Sequence, residues 1–175
     1  MNKIEIIELL NEKYNSFNTY IKKLSSEDFL YRFEKKWNAE KQIEHIILCI
    51  KPLIQVFSMD KIVIEQNFGK TERESLSYEI LKNVYIEKLN NGGKAPERFV
   101  PESNNLNNQN QLIETLTKIV AELCNKIETF SETELNYLCI PHPLLGNLTL
   151  KEMLYNAIYH VEHHKNQAIE NLKHK

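Results

Sequence analysis

Apolar residues recur every three or four positions along long stretches of the chain, which is the spacing of amphipathic helices. One such stretch runs from about Lys3 to Leu24 and another from about Asn110 to Phe130. Their apolar stripes consist of Ile4, Ile7, Leu10, Tyr14, Phe17 and Ile21, and of Leu112, Leu116, Ile119, Val120, Leu123 and Ile127. Because each stripe covers only one face, we expect both helices to pack that face against a common core.

A helix between these two is apolar over most of its surface. It begins after Asn38, an acceptable N-cap, and runs to about Met59. Its narrow polar strip consists of Glu44, Lys51 and Gln55. We therefore expect the helix to be buried on most sides, with His45 outside the polar strip on the side of Cys49. Pro52 predicts a kink that opens space beside His45.

A further helix starts near Leu150, because Thr149 and Glu152 form a capping box after a turn that contains proline and glycine. Two of its histidines, His160 and His164, are four residues apart and lie one turn above the other on one face. That face borders an apolar arc, so both imidazoles are predicted to lie at the margin of the buried side.

The connections between these helices are long. From Asp60 to about Asn110 the pattern is weak, apart from a short helix predicted over Leu76 to Leu89. A connection of about fifty residues fits a crossover between helices that are not in simple up-down order, or a lid over one end of a bundle. Residues 28–37 and 131–147 are predicted as connectors. Since glycine occurs only four times and strand-type alternation is scarce, we predict an all-α fold with a single domain over residues 1–175.

Composition narrows the function classes. The chain is 42% hydrophobic and 26% charged, which is typical of a globular protein, and its net charge of −2 argues against a nucleic-acid partner. No apolar run reaches the roughly 18 residues of a membrane span, and charges interrupt the first apolar run as they would not in a signal peptide. We expect a cytoplasmic protein whose three cysteines, without a CxxC spacing, are free thiols.

The histidines are the residues with the clearest chemistry. A pair at spacing four can chelate a divalent ion, but two ligands seldom hold a metal alone. His45 is the third histidine predicted to point inwards from a helix. One shared ion would satisfy all three imidazoles, whereas the alternative is that each is hydrogen-bonded in a metal-free core. We interpret His142 and His174 as structural or incidental, and His163 as a residue at the rim of the site.

The sequence resembles the DinB superfamily of metal-binding four-helix bundles. The resemblance rests on residues 37–46, on residues 142–149 and on the pattern His-x-x-His-His-x-x-Gln from residue 160, and it spans nearly the whole chain. It implies a four-helix bundle with a long crossover between helices two and three. In that family one histidine on helix two and two at spacing four on the last helix hold a divalent ion. The matching positions are His45, His160 and His164.

The resemblance also implies a function. Three neutral imidazoles leave positions open on a zinc or nickel ion, which can then activate water or a low-molecular-weight thiol such as bacillithiol. The expected activity is hydrolysis or thiol transfer on a small-molecule substrate, with the ion-bound water or thiolate as nucleophile. The alternative is a non-catalytic metal-binding or stress-related module. A homodimer is consistent with the family.

No further catalytic side chain is predicted. Second-shell groups normally fix the orientation of metal-binding imidazoles by accepting a hydrogen bond from their other ring nitrogen. By proximity in the sequence, the candidates for this role are Glu44, Asn156 and Gln167.

Overall fold

Four long helices dominate the part of the chain that this computed structural model describes, residues 1–102 and 108–175. They are α1 (Lys3–Lys22), α3 (Ala39–Phe57), α6 (Gln109–Glu128) and α8 (Leu150–Leu172). The shorter helices are α2 (Ser26–Leu30), α4 (Lys61–Phe68), α5 (Tyr78–Asn90) and α7 (Glu132–Tyr137), and Glu97–Phe99 forms a 3-10 turn. A small antiparallel hairpin joins β1 (Cys139–His142) to β2 (Gly146–Thr149).

The long helices form a ring in which sequence neighbours are not always spatial neighbours. Helix α1 packs against α6 and α8, and α3 packs against the same two helices. The order around the bundle is therefore α1, α6, α3, α8. The connection between α3 and α6 contains α4 and α5, and α5 lies along α8. The all-α class and the long crossover between the second and third long helices are confirmed.

Side-chain caps determine where the long helices begin. Asn38 accepts a hydrogen bond from the backbone N–H of Lys41 at 2.9 Å and starts α3. Thr149 accepts from the N–H of Glu152 at 3.1 Å, and the Glu152 carboxylate accepts from the N–H of Thr149 at 2.8 Å. Each such bond satisfies an N–H group that the helix itself leaves unpaired. The predicted starts of both helices are confirmed.

The buried face of α1 differs from the predicted one. Ile4 is 65% exposed, whereas Ile6 is completely buried. The face that contacts α6 and α8 consists of Ile6, Leu10, Tyr14, Phe17, Asn18 and Ile21. The prediction was wrong at the first turn because Ile4 and Ile7 fit the same period, so the sequence alone could not decide between the two possible stripes.

The predicted connectors contain regular structure. Residues 28–37 include the end of α2, and residues 131–147 include α7 and most of the hairpin. The hairpin strands have only four residues each, too few for a visible alternation. Ile140 and Leu148 pair across it and are both buried. Its core-facing side therefore packs against α4, α7 and α8.

An ion pair between the exposed Arg73 and the buried Glu152 attaches the crossover to the start of α8. Glu152 is fully buried, and its two carboxylate oxygens accept from the Arg73 guanidinium at 2.5 and 2.7 Å. The N–H of Leu76 donates to the same carboxylate at 2.7 Å. Burial acts to raise the pKa of Glu152, but these hydrogen bonds outweigh it and hold the pKa below its usual range. The side of α8 that carries Glu152 thus faces protein.

None of the helices in the described ranges has the length and apolar character that crossing a membrane requires.

Candidate metal centre

Three imidazoles from two helices meet at one point inside the bundle. His45 comes from α3, and His160 and His164 come from α8. Nε2 of His160 lies 3.2 Å from Nε2 of His45 and 2.9 Å from Nε2 of His164. One ring nitrogen of each residue lies within 4.8 Å of the other two. The structure thus brings together the three histidines that were predicted to point inwards from their helices.

Hydrogen bonds at Nδ1 fix the tautomers of two of these rings. Nδ1 of His45 is 2.6 Å from the backbone carbonyl oxygen of Phe99, and Nδ1 of His164 is 2.5 Å from Oε1 of Gln42. Both oxygens can only accept, so each Nδ1 must carry the hydrogen. Nε2 of both rings then presents a lone pair to the common point.

The hydrogens and lone pairs at the three Nε2 atoms indicate whether these residues fit a metal ion. His160 can donate one hydrogen from Nε2 to only one of the other two rings. If it donates to His45, the lone pair of His164 faces no donor, and if it donates to His164, the lone pair of His45 has only the Cys49 thiol at 3.6 Å, which is a weak donor. A cation at the common point accepts all three lone pairs at once. Imidazole nitrogen is a usual ligand of zinc, nickel, copper and iron, so the donor set fits a divalent transition metal.

The protonation state of the rings also suits a metal. Burial lowers the pKa of His160 and of His164 well below the usual value, and the neighbouring imidazoles add to the effect. Burial lowers the pKa of His45 as well, against the opposing effect of its bond to the Phe99 carbonyl. The three rings are therefore neutral near pH 7, which is the form that binds metal ions.

The triad forms part of the wall of a cavity of about 360 Å³. Most of the wall is apolar and comes from α3, α8, the crossover with its α4 and α5, and the hairpin. Members of this apolar wall are Ile50, Leu53, Val56, Phe68, Leu89, Pro96, Phe99, Ile140, Leu144 and Met153. Lys94 and Arg98 supply positive charge, and no described lining residue is acidic. A cavity of this size and polarity is typical of a small-molecule site.

Cys49 also lines the cavity but does not join the triad. Its Sγ is 3.6 Å from Nε2 of His45, yet the group of ligand atoms within 4.8 Å of one another contains only the three histidines. Burial raises the pKa of the Cys49 thiol to about 12. Cys49, Cys124 and Cys139 are all free thiols, as predicted.

His142, interpreted from the sequence as structural or incidental, has a structural role in the hairpin and also lies at the cavity. It ends β1, lines the cavity and lies near His160. Its Nδ1 accepts hydrogen bonds from the backbone N–H groups of Leu144 and Leu145, at 3.1 and 3.2 Å. A hydrogen bond also links it to the Asn156 side chain, while burial lowers its pKa to about 4. The sequence carried no sign of this placement because the hairpin was not predicted.

At two of the three rings, the groups that meet Nδ1 are not among the candidates chosen by proximity. Gln42 and the Phe99 carbonyl hold two of the rings. Glu44 is buried on α3, the Asn156 side chain contacts His142, and Gln167 is exposed. The spacing of Gln42 could have indicated a place near the site, because it lies almost one turn before His45 on the same helix and so shares a face with it. No sequence pattern indicates the role of the Phe99 carbonyl, because it is a backbone group of the crossover.

The other histidines lie outside the triad. His163 is partly buried, lines the cavity and has its ring centroid 5.1 Å from that of His164. His174 stacks on Phe33 with centroids 4.0 Å apart, away from the site.

Comparison with known proteins adds one finding. The family model described as the DinB superfamily matches residues 9–168, which include the triad, the hairpin and all four long helices in whole or in large part. No curated protein gives a significant match to the chain.

Proposed function

The chain belongs to the DinB superfamily, and from this premise we propose that it is a metal-dependent enzyme acting on a small molecule. His45, His160 and His164 would hold a divalent ion, zinc or nickel, and the reaction would be a hydrolysis or the transfer of a low-molecular-weight thiol. The observation that carries the proposal is the convergence of three Nε2 atoms on the wall of a cavity large enough for a substrate.

Three ligands beside a cavity favour a catalytic centre over a structural one. Structural zinc sites are closed by four protein ligands, whereas catalytic sites keep a position open. A divalent ion supplies Lewis acidity there, which lowers the pKa of water or of a thiol towards neutrality. The chain's own residues hold the three rings neutral and fix two of their tautomers. The apolar wall limits bulk water around the reacting groups.

The charge of the cavity favours an anionic reactant. Lys94 and Arg98 line it without an acidic residue among the described lining, and the ion would add further positive charge. Low-molecular-weight thiols of the bacillithiol kind carry carboxylates, so this charge supports thiol transfer. Hydrolysis of an anionic substrate uses the same charge and is the second reaction within the proposal.

Metal content is the first test. We expect protein purified without a histidine tag to carry one divalent ion per chain by elemental analysis. His160→Ala should lose the ion, while His163→Ala, which changes a neighbouring histidine on the same helix, should retain it. Metal-free wild-type protein that does not take up zinc or nickel would overturn the proposal.

Activity measurements with and without thiol distinguish thiol transfer from hydrolysis. Metal-loaded protein is supplied with 1-chloro-2,4-dinitrobenzene and bacillithiol, and in parallel with p-nitrophenyl acetate without thiol. We expect wild-type protein to convert the first substrate only when thiol is present and His160→Ala to lose this activity. Ester cleavage without thiol, abolished by the same substitution, would favour hydrolysis. If neither substrate is converted by metal-replete protein, the alternative of a non-catalytic metal-binding module gains support.

A further inference from the structure

Asn156 carries a buried hydrogen-bond donor without a partner. The side chain lines the cavity and only 7% of the residue is exposed. Its Nδ2 has no hydrogen-bond partner among the described residues. Asn156 lies one turn before His160 on α8, so the two side chains share a face of that helix. A buried amide N–H without an acceptor is rare in folded proteins and calls for an explanation.

The orientation of this amide follows from a chain of hydrogen bonds. The N–H groups of Leu144 and Leu145 both donate to Nδ1 of His142, so the ring hydrogen must be on Nε2. The bond between His142 and Asn156 favours the ring with its proton, which means that the ring donates and Oδ1 of Asn156 accepts. Nδ2 is therefore the free end of the amide, and the hairpin holds it there through His142.

We infer that the substrate presents a carboxylate or carbonyl oxygen to Nδ2 of Asn156, next to the histidine triad. The inference rests on the proposed function, because it concerns the reactant that enters the same cavity, and it names Asn156 as a substrate-binding residue. His142 is a positioning residue that acts through Asn156. An oxygen is required because both hydrogens of Nδ2 are donors. Lys94 and Arg98, with no acidic residue among the described lining, favour a carboxylate over a neutral carbonyl.

Small probes can test the contact before any substrate is known. Butanoate offers a carboxylate on an apolar chain, butanamide a neutral carbonyl, and butylammonium no acceptor. Trp37 is the only tryptophan and lines the cavity, so its fluorescence can follow binding to zinc-loaded protein. Side-chain amide signals in protein labelled with ¹⁵N-asparagine report on the contact itself, and Asn156→Leu identifies the relevant pair of signals by their loss.

We expect butanoate to bind more tightly than butanamide, and butylammonium to be the weakest of the three. The dissociation constant for butanoate should rise about tenfold in Asn156→Leu, the effect of losing one hydrogen bond to a charged acceptor. Asn166→Leu is the matched control, because it makes the same substitution on α8 at an exposed position outside the cavity lining. It should alter the constant by less than about twofold.

The positioning role of His142 predicts different effects for two substitutions at this residue. His142→Gln keeps a donor at the position of Nε2 and should leave the ¹⁵N shifts of the Asn156 amide and the butanoate affinity close to wild type. His142→Leu removes that donor and should change both. Equal effects of the two substitutions would overturn the positioning role.

The outcomes distinguish this inference from the proposed function. Zinc content is measured in every variant, and failure of wild-type protein to bind zinc counts against the proposed function alone, since the probes are also titrated into metal-free protein. Asn156 signals that do not move at saturating butanoate would overturn the inference, whatever the metal content. The same holds for an unchanged butanoate affinity in Asn156→Leu, which would leave water as the acceptor at Nδ2.

Discussion

At the scale of single residues, the atom that meets Nδ1 gives each buried histidine its chemistry. Nδ1 of His45 and of His164 donates to an oxygen, which leaves Nε2 free to bind a cation. Nδ1 of His142 accepts from two N–H groups, which makes its Nε2 a donor. Chemically identical side chains thus offer a lone pair suited to a metal ion in one case and a hydrogen-bond donor in the other.

The pKa of His142 predicts a contribution to the pH dependence of stability. Its folded value of about 4 lies below the roughly 6.5 of an unfolded chain, so only the unfolded state binds this proton between the two values. The contribution is present above about pH 6.5 and is lost as the pH falls towards 4. Between pH 7 and pH 4.5, wild-type protein should lose about 1–3 kcal/mol more unfolding free energy than His142→Gln, in which this position cannot titrate.

Urea unfolding in the presence of a chelator measures this difference without interference from bound metal. Parallel pH profiles for the two proteins would show that burial does not shift the titration of His142.

The three histidines could be predicted from the sequence, whereas the groups around them could not. His160 and His164 could be placed because the helical period and the capping box fix the face of α8. The family resemblance added weight to His45. The roles of Gln42, His142 and the Phe99 carbonyl depend on which elements meet in space, and one sequence does not encode that in any local pattern.

At the scale of secondary-structure elements, length decided what could be predicted. The four long helices carry enough turns for their apolar period to be unmistakable, and caps such as Asn38 and Thr149 mark two of their starts. The hairpin and α7 are short, and their apolar residues meet the core through contacts distant in the chain. Local periodicity therefore did not reveal these two elements, of which the hairpin lines the cavity.

The crossover after α5 contains a glycine, Gly93, at which there is no space for a side chain. A Cβ at Gly93 would lie 2.7 Å from the backbone oxygen of Lys88 and 3.3 Å from Cδ1 of Leu144, so Gly93→Ala must move the chain that leads to the Phe99 carbonyl. We expect a loss of about 1–3 kcal/mol in unfolding free energy. Zinc affinity should also fall several-fold, because His45 loses its orienting acceptor.

Gly92→Ala provides the comparison for this prediction. Gly92 has a φ of +87° but open space around it, so a side chain there costs only the backbone strain of about 1–2 kcal/mol. Urea unfolding and zinc titration of both variants give the measurement. A loss of zinc affinity in Gly92→Ala as large as that in Gly93→Ala would show that the contact with Lys88 is not responsible.

At the scale of the whole molecule, the site joins two sides of the bundle. Helices α3 and α8 are neighbours in the ring, and each contributes to the triad. An ion bound by all three histidines would link these helices only in the folded state. Metal binding is therefore expected to stabilise the fold as a whole, beyond its effect on the cavity.

This expectation can be measured as a shift in the unfolding transition. Free zinc at about one hundred times the dissociation constant should raise the free energy of unfolding by about 2.7 kcal/mol, and a chelator should reverse the change. His45→Gln should lose most of the effect and His163→Gln should keep it. If His45→Gln is stabilised as strongly as wild type, zinc binds without the ligand from α3.

The separation of the ligands along the chain has a consequence for assembly in the cell. His45 and His160 are 115 residues apart, so a nascent or misfolded chain in which α3 has not docked offers only the two members of the triad that lie on α8. Such a pair competes poorly with the cell's other chelators. Only a chain in which α3 and α8 have docked can retain the ion. A bound ion would therefore mark a correctly folded molecule.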